Sequence, residues 1–165
     1  MKKYDVVIGI DPDVDKSGIA YVETESRMLE ATCLTFAALL DYLREAGEVL
    51  TERGKSFVVV VEAGWLNKAH WHVGRGGSAA RSAAIGNHTG RNHEVGRKIV
   101  EMCRHYGIEV VEQPPLRKMW KGKDGKITHE ELQIFTGIMG KTNQETRDAA
   151  LLAWEYAGLP IRIKN

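Results

Sequence analysis

Four acidic residues stand in this chain where an unpaired charge is costly. Asp11 closes the apolar run VVIGI, Glu62 closes FVVVV, and Glu145 and Asp148 precede the almost wholly apolar stretch AALLAW. A lone carboxylate beside such sequence is expensive to bury. Glu145 and Asp148 are three residues apart, so on a helix they share one face and aim at one point. Carboxylates that converge raise one another's pKa unless a divalent cation sits between them. An all-oxygen donor set suits a hard cation, Mg²⁺ with Mn²⁺ as its substitute. Two such ions roughly 4 Å apart activate a water and stabilise the leaving oxygen in phosphodiester cleavage. Asp11, Glu62, Glu145 and Asp148 are therefore the candidate catalytic and metal-binding residues. Each alone also has an ordinary reading, a loop cap or a surface charge. Asp13 and Asp15 fall in the turn before Ser17-Gly18, where they cap that turn or meet a cation only through water.

The charge distribution points to a polyanion. Residues 1–62 carry 7 Lys and Arg against 12 Asp and Glu, residues 63–126 carry 12 against 5, and residues 127–165 carry 4 against 5. Phosphates need cations and the cations need carboxylates, although a solvated basic face gives the same count. Within the basic middle, Lys68, Arg75, Arg81 and Arg91 lie in a Gly- and His-rich stretch, 66–93, that reads as a loop able to approach phosphates closely. GRGGS lacks the Gly-Lys-Ser/Thr ending of a nucleotide-binding loop, and HWH and HTGRNH lack the cysteines of a structural zinc set. The second basic group, LRKMWKGKDGK, offers Arg117, Lys118, Lys121, Lys123 and Lys126 for phosphate contact, with Lys126 expected nearest the carboxylates. Trp65 follows Glu62 by three residues. It either stacks on a base, a contact of about 1–3 kcal/mol, or packs under the adjacent loop.

The elements that must position these residues are legible in outline. YDVVIGI (4–10), SGIAYVET and RMLEATCLTF read as a three-strand meander, FVVVV (57–61) as a strand covered on both faces, and IEVVEQPP as a fifth strand stopped by its prolines. Leucines recurring at three and four predict a helix from Thr35 to about Gly54, and Val95, Ile99, Val100 and Cys103 predict one over 91–105 that ends at Gly107. Thr128 and Glu131 form a capping box for a helix reaching about Gly137, and Thr142 or Asn143 caps the last, 143–157. Three strands followed by β-α alternation are the pattern of an α/β, ribonuclease H-like domain with a mixed five-stranded sheet flanked by helices, one candidate among several on pattern alone.

At 165 residues and 43% hydrophobic, the chain closes one core, so a single domain over 1–165 is expected. No stretch approaches 18 apolar residues and no signal segment is apparent. Cys33 and Cys103 read as reduced core cysteines, which together predict a cytoplasmic protein without a membrane anchor. Trp71, Trp120 and Trp154 read as buried or half-buried.

The motifs resemble those of RuvC-type Holliday junction resolvases, in order, over nearly the whole chain. IGIDPDVDKSGIAYV resembles their first motif and VVVVEAGWL their second. The segment from SAAIGNHTG to QPPLRKMW resembles their long helix, strand and basic helix start, and ETRDAALLAW resembles their closing motif. The resemblance implies that Asp11, Glu62, Glu145 and Asp148 form the metal site of a homodimer that cuts four-way DNA junctions symmetrically. Two positions depart from it: Asp13 stands where the family has Gly, and Glu145 where it commonly has Asp. Three other functions remain open at this point. One is a non-catalytic junction-binding module, another a nuclease of relaxed specificity for flaps and forks. The last is an actin-like ATPase, which lacks its second phosphate loop here.

Overall fold

The computed structural model describes residues 2–67 and 78–163. The strands are β1 (Val6–Asp11), β2 (Ser17–Glu23), β3 (Leu29–Leu34), β4 (Phe57–Glu62) and β5 (Val110–Gln113). The helices are α1 (Phe36–Glu52), α2 (Ala79–His105), α3 (His129–Thr136) and α4 (Gln144–Tyr156). The five strands form one sheet in the order β3-β2-β1-β4-β5. The β1–β2 and β2–β3 pairs are antiparallel, and the β1–β4 and β4–β5 pairs are parallel, so the sheet is mixed as the sequence predicts.

Strand pleating divides the core between the two faces of the sheet. Along β4, Val58 and Val60 pack with Leu152 and Trp154 of α4, while Val59 and Val61 pack with Leu39 and Leu43 of α1 and Ile99 of α2. All four valines are inaccessible to solvent, which explains why FVVVV shows no polar alternation. The capping signals form as expected. Thr128 and Glu131 close a capping box on α3, Asn143 caps α4, and α3 ends at Gly137 with φ of 68°.

Helix α4 lies directly on the β1–β2 pair because two glycines admit it. A Cβ at Gly9 would come 2.5 Å from the Ala149 carbonyl oxygen, and one at Gly18 would run into the carbonyl of Glu145. Gly18 is the residue paired with Asp11 across the β1–β2 ladder. The backbone of α4 is thus seated beside the strand end that carries the first acid.

Two expectations are corrected. The stretch 66–93 is not all loop, since α2 begins at Ala79, capped by Ser78, and places Arg81, His88 and Arg91 on a helix. No residue of α2 before Gly96 is buried, so its first half has no apolar stripe to reveal the helix in sequence. Cys33 is only half-buried on the edge strand β3, with Asn143 Nδ2 donating to its sulfur at 3.2 Å; Cys103 is buried as expected, and burial pushes its thiol up to about 12. Trp154 is buried and Trp120 half-buried, whereas Trp71 lies outside the described residues.

Two glycine substitutions distinguish these arrangements by sign. Gly9→Ala should destabilise the protein by roughly 1–3 kcal/mol in urea titrations, because the added methyl meets backbone. Gly86→Ala, in the exposed half of α2 with no atom within 4 Å of the added carbon, should stabilise by about 0.5–1 kcal/mol.

Candidate active site

The parallel register of β1 and β4 sets Ile10 opposite Val61. Asp11 and Glu62 are the next residues of these adjacent strands, so their carboxylates leave the sheet side by side. Asp148, four residues into α4, reaches the same place with its side chain 16% exposed. Burial holds the Asp11 carboxyl well above the ordinary carboxylate range, and the charges of Glu62, Asp148 and, least, Glu145 push the same way. Glu62 is raised too, first by burial and then by Asp148, against the opposing fields of Lys126 and Lys118.

One ammonium answers these acids. Lys126 Nζ donates to Asp148 Oδ2 at 3.0 Å. Burial disfavours its charge, but the bond to Asp148 and the fields of Asp11 and Glu62 outweigh that and raise its pKa. The other oxygen of Asp148 accepts from Gln144 Nε2 at 2.7 Å. Arg147 surrounds the same corner, donating to the Ile127 carbonyl at 3.1 Å, to the Thr142 carbonyl at 3.0 Å and to Gln144 Oε1 at 3.1 Å. Asp11, Glu62, Asp148 and Lys126 are thus brought together as the sequence suggests. Glu145 sits in the first turn of α4, its backbone against Gly18, and contributes only weakly to the field at Asp11.

These residues open into a cleft of about 600 Å³. One wall is the exposed half of α2, presenting Ser82, Gly86, Thr89 and Gly90; the other carries Arg117, Lys118 and Lys126, with Glu62 and Asp148 between. Lys121 and Lys123 are exposed but do not line the cleft, and Arg81 and Arg91 point from other faces of α2. Lys68 and Arg75 lie outside the described residues.

Trp65 is packed on the cleft floor. Its ring lies against α2 where Gly96 has no side chain, since a Cβ there would be 2.5 Å from it. His93 meets it edge-on at 6.1 Å, Arg97 lies over it at 5.5 Å, and its indole N–H donates to Glu112 at 3.2 Å. Packing is therefore one role of this side chain. Sequence reasoning missed Gln144, Arg147, Arg97 and Glu112. For Gln144 a signal was present, because Gln and Asp four apart on a helix are hydrogen-bonding neighbours.

The site suits a hard cation by its chemistry. Asp11 and Glu62 bring oxygen donors whose charged forms are disfavoured first by burial and then by neighbouring carboxylates, which a cation would relieve. As arranged, no three His, Cys, Asp or Glu side chains among the described residues meet at coordinating spacing. Asp148 instead accepts from Lys126 on Oδ2 and from Gln144 on Oδ1, so a cation at Asp148 takes the place of the Lys126 ammonium.

No family model and no curated protein matches the chain. Among solved structures, Thermus thermophilus RuvC in complex with a Holliday junction substrate is similar with a TM-score of 0.55 at 16% identity, covering 93% of each chain. A second Thermus thermophilus RuvC structure gives 0.45 at 18% identity, covering 93% of this chain and 97% of that one. A Fowlpox virus resolvase in complex with Holliday junction DNA gives 0.41 at 12% identity, over 93% and 97%. The first of these shows that the chain shares the fold of that structure. Among the described residues, no helix is long and apolar enough to cross a membrane.

The raised carboxyls set a pH dependence. A carboxyl whose folded pKa exceeds its unfolded value binds its proton better when folded, so its unfavourable contribution is absent at low pH and grows as pH rises through that interval. Without divalent ions, stability should therefore fall as pH rises from the ordinary carboxylate range toward neutrality. Asp11→Asn should flatten this slope and raise stability at pH 7 by roughly 0.5–2 kcal/mol in thermal or urea unfolding.

Proposed function

We propose that this protein is a metal-dependent endonuclease that cleaves phosphodiesters in branched DNA and resolves four-way junctions as a homodimer. The observation that carries the proposal is the convergence of Asp11, Glu62 and Asp148, with Lys126 among them, where Glu62, Asp148 and Lys126 line a basic cleft. Asp11, Glu62 and Asp148, with Glu145 at the edge, would hold Mg²⁺ or Mn²⁺, as a pair of ions. When bound, such ions polarise the phosphoryl oxygens and lower the pKa of water at the site.

The chain's own residues do the remainder. Arg117 and Lys118 on the cleft wall neutralise the backbone of the entering strand and set its register without reading sequence. Lys126 presents an ammonium at the carboxylates and holds a non-bridging phosphate oxygen as the strand settles. The strand ends that carry Asp11 and Glu62 are fixed by the sheet, so the reacting groups need little reorganisation. Two symmetric cuts require two such sites, which a homodimer supplies.

A second reading is a non-catalytic junction-binding module. It is favoured by the engagement of both Asp148 oxygens within the chain and by the absence of a ready coordinating group among the described residues. Incubating a synthetic four-way junction with Mg²⁺ separates the two. The nuclease reading expects symmetric nicks from the wild type, a loss of about 10²–10³-fold in Asp11→Asn, and unchanged junction binding by both in metal-free gel shifts. Tight binding with no cut by either protein, in Mg²⁺ or Mn²⁺, establishes the second reading instead.

A further inference from the structure

Arg147 lies between the two acids of α4 yet makes no ion pair with a described carboxylate. Its guanidinium instead donates from all three nitrogens to uncharged acceptors: the Ile127 carbonyl, the Thr142 carbonyl and hydroxyl, and Gln144 Oε1. Guanidinium has donors and no acceptor, so the Gln144 atom facing it must be the oxygen. The amide nitrogen is thereby turned the other way, to Asp148 Oδ1 at 2.7 Å and to the Ile127 carbonyl at 3.3 Å. Ile127 is the residue after Lys126, and its own side chain is fully buried in the core. Two side chains of α4 thus converge on the carbonyl of the residue that follows Lys126, while one of them also holds Asp148.

We propose that Arg147 and Gln144 are positioning residues that fix the orientation of the Asp148 carboxylate and its distance from Lys126. Arg147 sets the direction of the Gln144 amide, and that amide leaves Asp148 one direction in which to present its second oxygen. The consequence for turnover rests on the nuclease reading, whereas the positioning itself does not.

The test uses the full chain with Arg147→Met, Arg147→Lys, Gln144→Leu and the double variant Arg147→Met with Gln144→Leu. The side-chain amide signals of Gln144 in nitrogen-edited NMR spectra report the orientation directly. In the wild type they should be shifted and slow to exchange. In Arg147→Met they should move to the values of a solvent-exposed glutamine while the backbone spectrum and melting curve are retained. Calorimetry with Mn²⁺ alone should show roughly 10–100-fold weaker binding in either single variant, no further loss in the double variant, and no recovery in Arg147→Lys, which cannot reach three acceptors. Where the wild type cuts junctions, kcat should fall by a similar factor with KM unchanged. A Gln144 amide pair unmoved by Arg147→Met in a folded protein overturns the proposal, and so do losses in the two single variants that simply add. A wild type that cuts nothing while the Gln144 signals shift as expected sinks the nuclease reading and leaves the positioning intact.

Discussion

The structure turns on a concentration of negative charge at the ends of two parallel strands. Asp11 and Glu62 leave adjacent strands at one level, and Asp148 is delivered to the same place by α4. Two like charges about 4 Å apart repel by roughly 4 kcal/mol at an effective dielectric of 20. One ammonium, that of Lys126, stands against them within hydrogen-bond reach. A fold designed only for stability would place apolar or neutral residues there. The carboxyls of Asp11 and Glu62 are raised first by burial and then by the neighbouring acids.

Holding that concentration in place requires close backbone approach, and the glycines supply it. Gly9 and Gly18 let α4 sit against β1 and β2, with Ala149 and Ala153 over Gly9 and the Glu145 carbonyl over Gly18. The small residues of DAALLAW are thus explained by the distance at which the helix must lie to bring Asp148 over the strand ends. Gly96 does the same for the opposite wall, where it admits the Trp65 ring between α2 and Pro12. The Trp65 position is then secured by Glu112 and Arg97, neither of which carries a motif of its own.

Most of the sheet and the acid set were legible because each rests on a local signal. The valines of β4 show burial on both faces, Thr128 with Glu131 shows a helix start, and Asp11 and Glu62 end apolar runs. The first half of α2 was not legible, since a helix that buries no residue there carries no apolar period, and Gly86 and Gly90 imitate loop residues. Nor was the corner of Gln144, Arg147 and Ile127 foreseen in full. The spacing of Gln144 and Asp148 is written in sequence, but the Ile127 carbonyl that two side chains share is a product of the turn at Lys123–Gly125 and of α3, which together decide where that peptide falls. Cys33 was misjudged for a related reason, because β-branched neighbours announce a strand without saying that it is the edge.

The arrangement of charge across the cleft implies an order of events. Glu62 and Asp148 in the cleft, with Asp11 buried beside them, repel a phosphate, while Arg117 and Lys118 on the wall attract one. On the proposed reading a nucleic-acid backbone would meet favourable potential at the rim and unfavourable potential at the carboxylates, whose charge Lys126 and, less, Lys118 only partly offset. Arg147 does not alter this balance at close range, because its guanidinium is turned to the Ile127 and Thr142 carbonyls. Positive charge has to be added at the floor before a phosphate can be drawn fully in. On the proposed reading, a divalent cation drawn to the carboxylates would offset their charge for an anionic strand and the strand would in turn favour the cation, a coupling by electrostatics that needs no movement of the sheet.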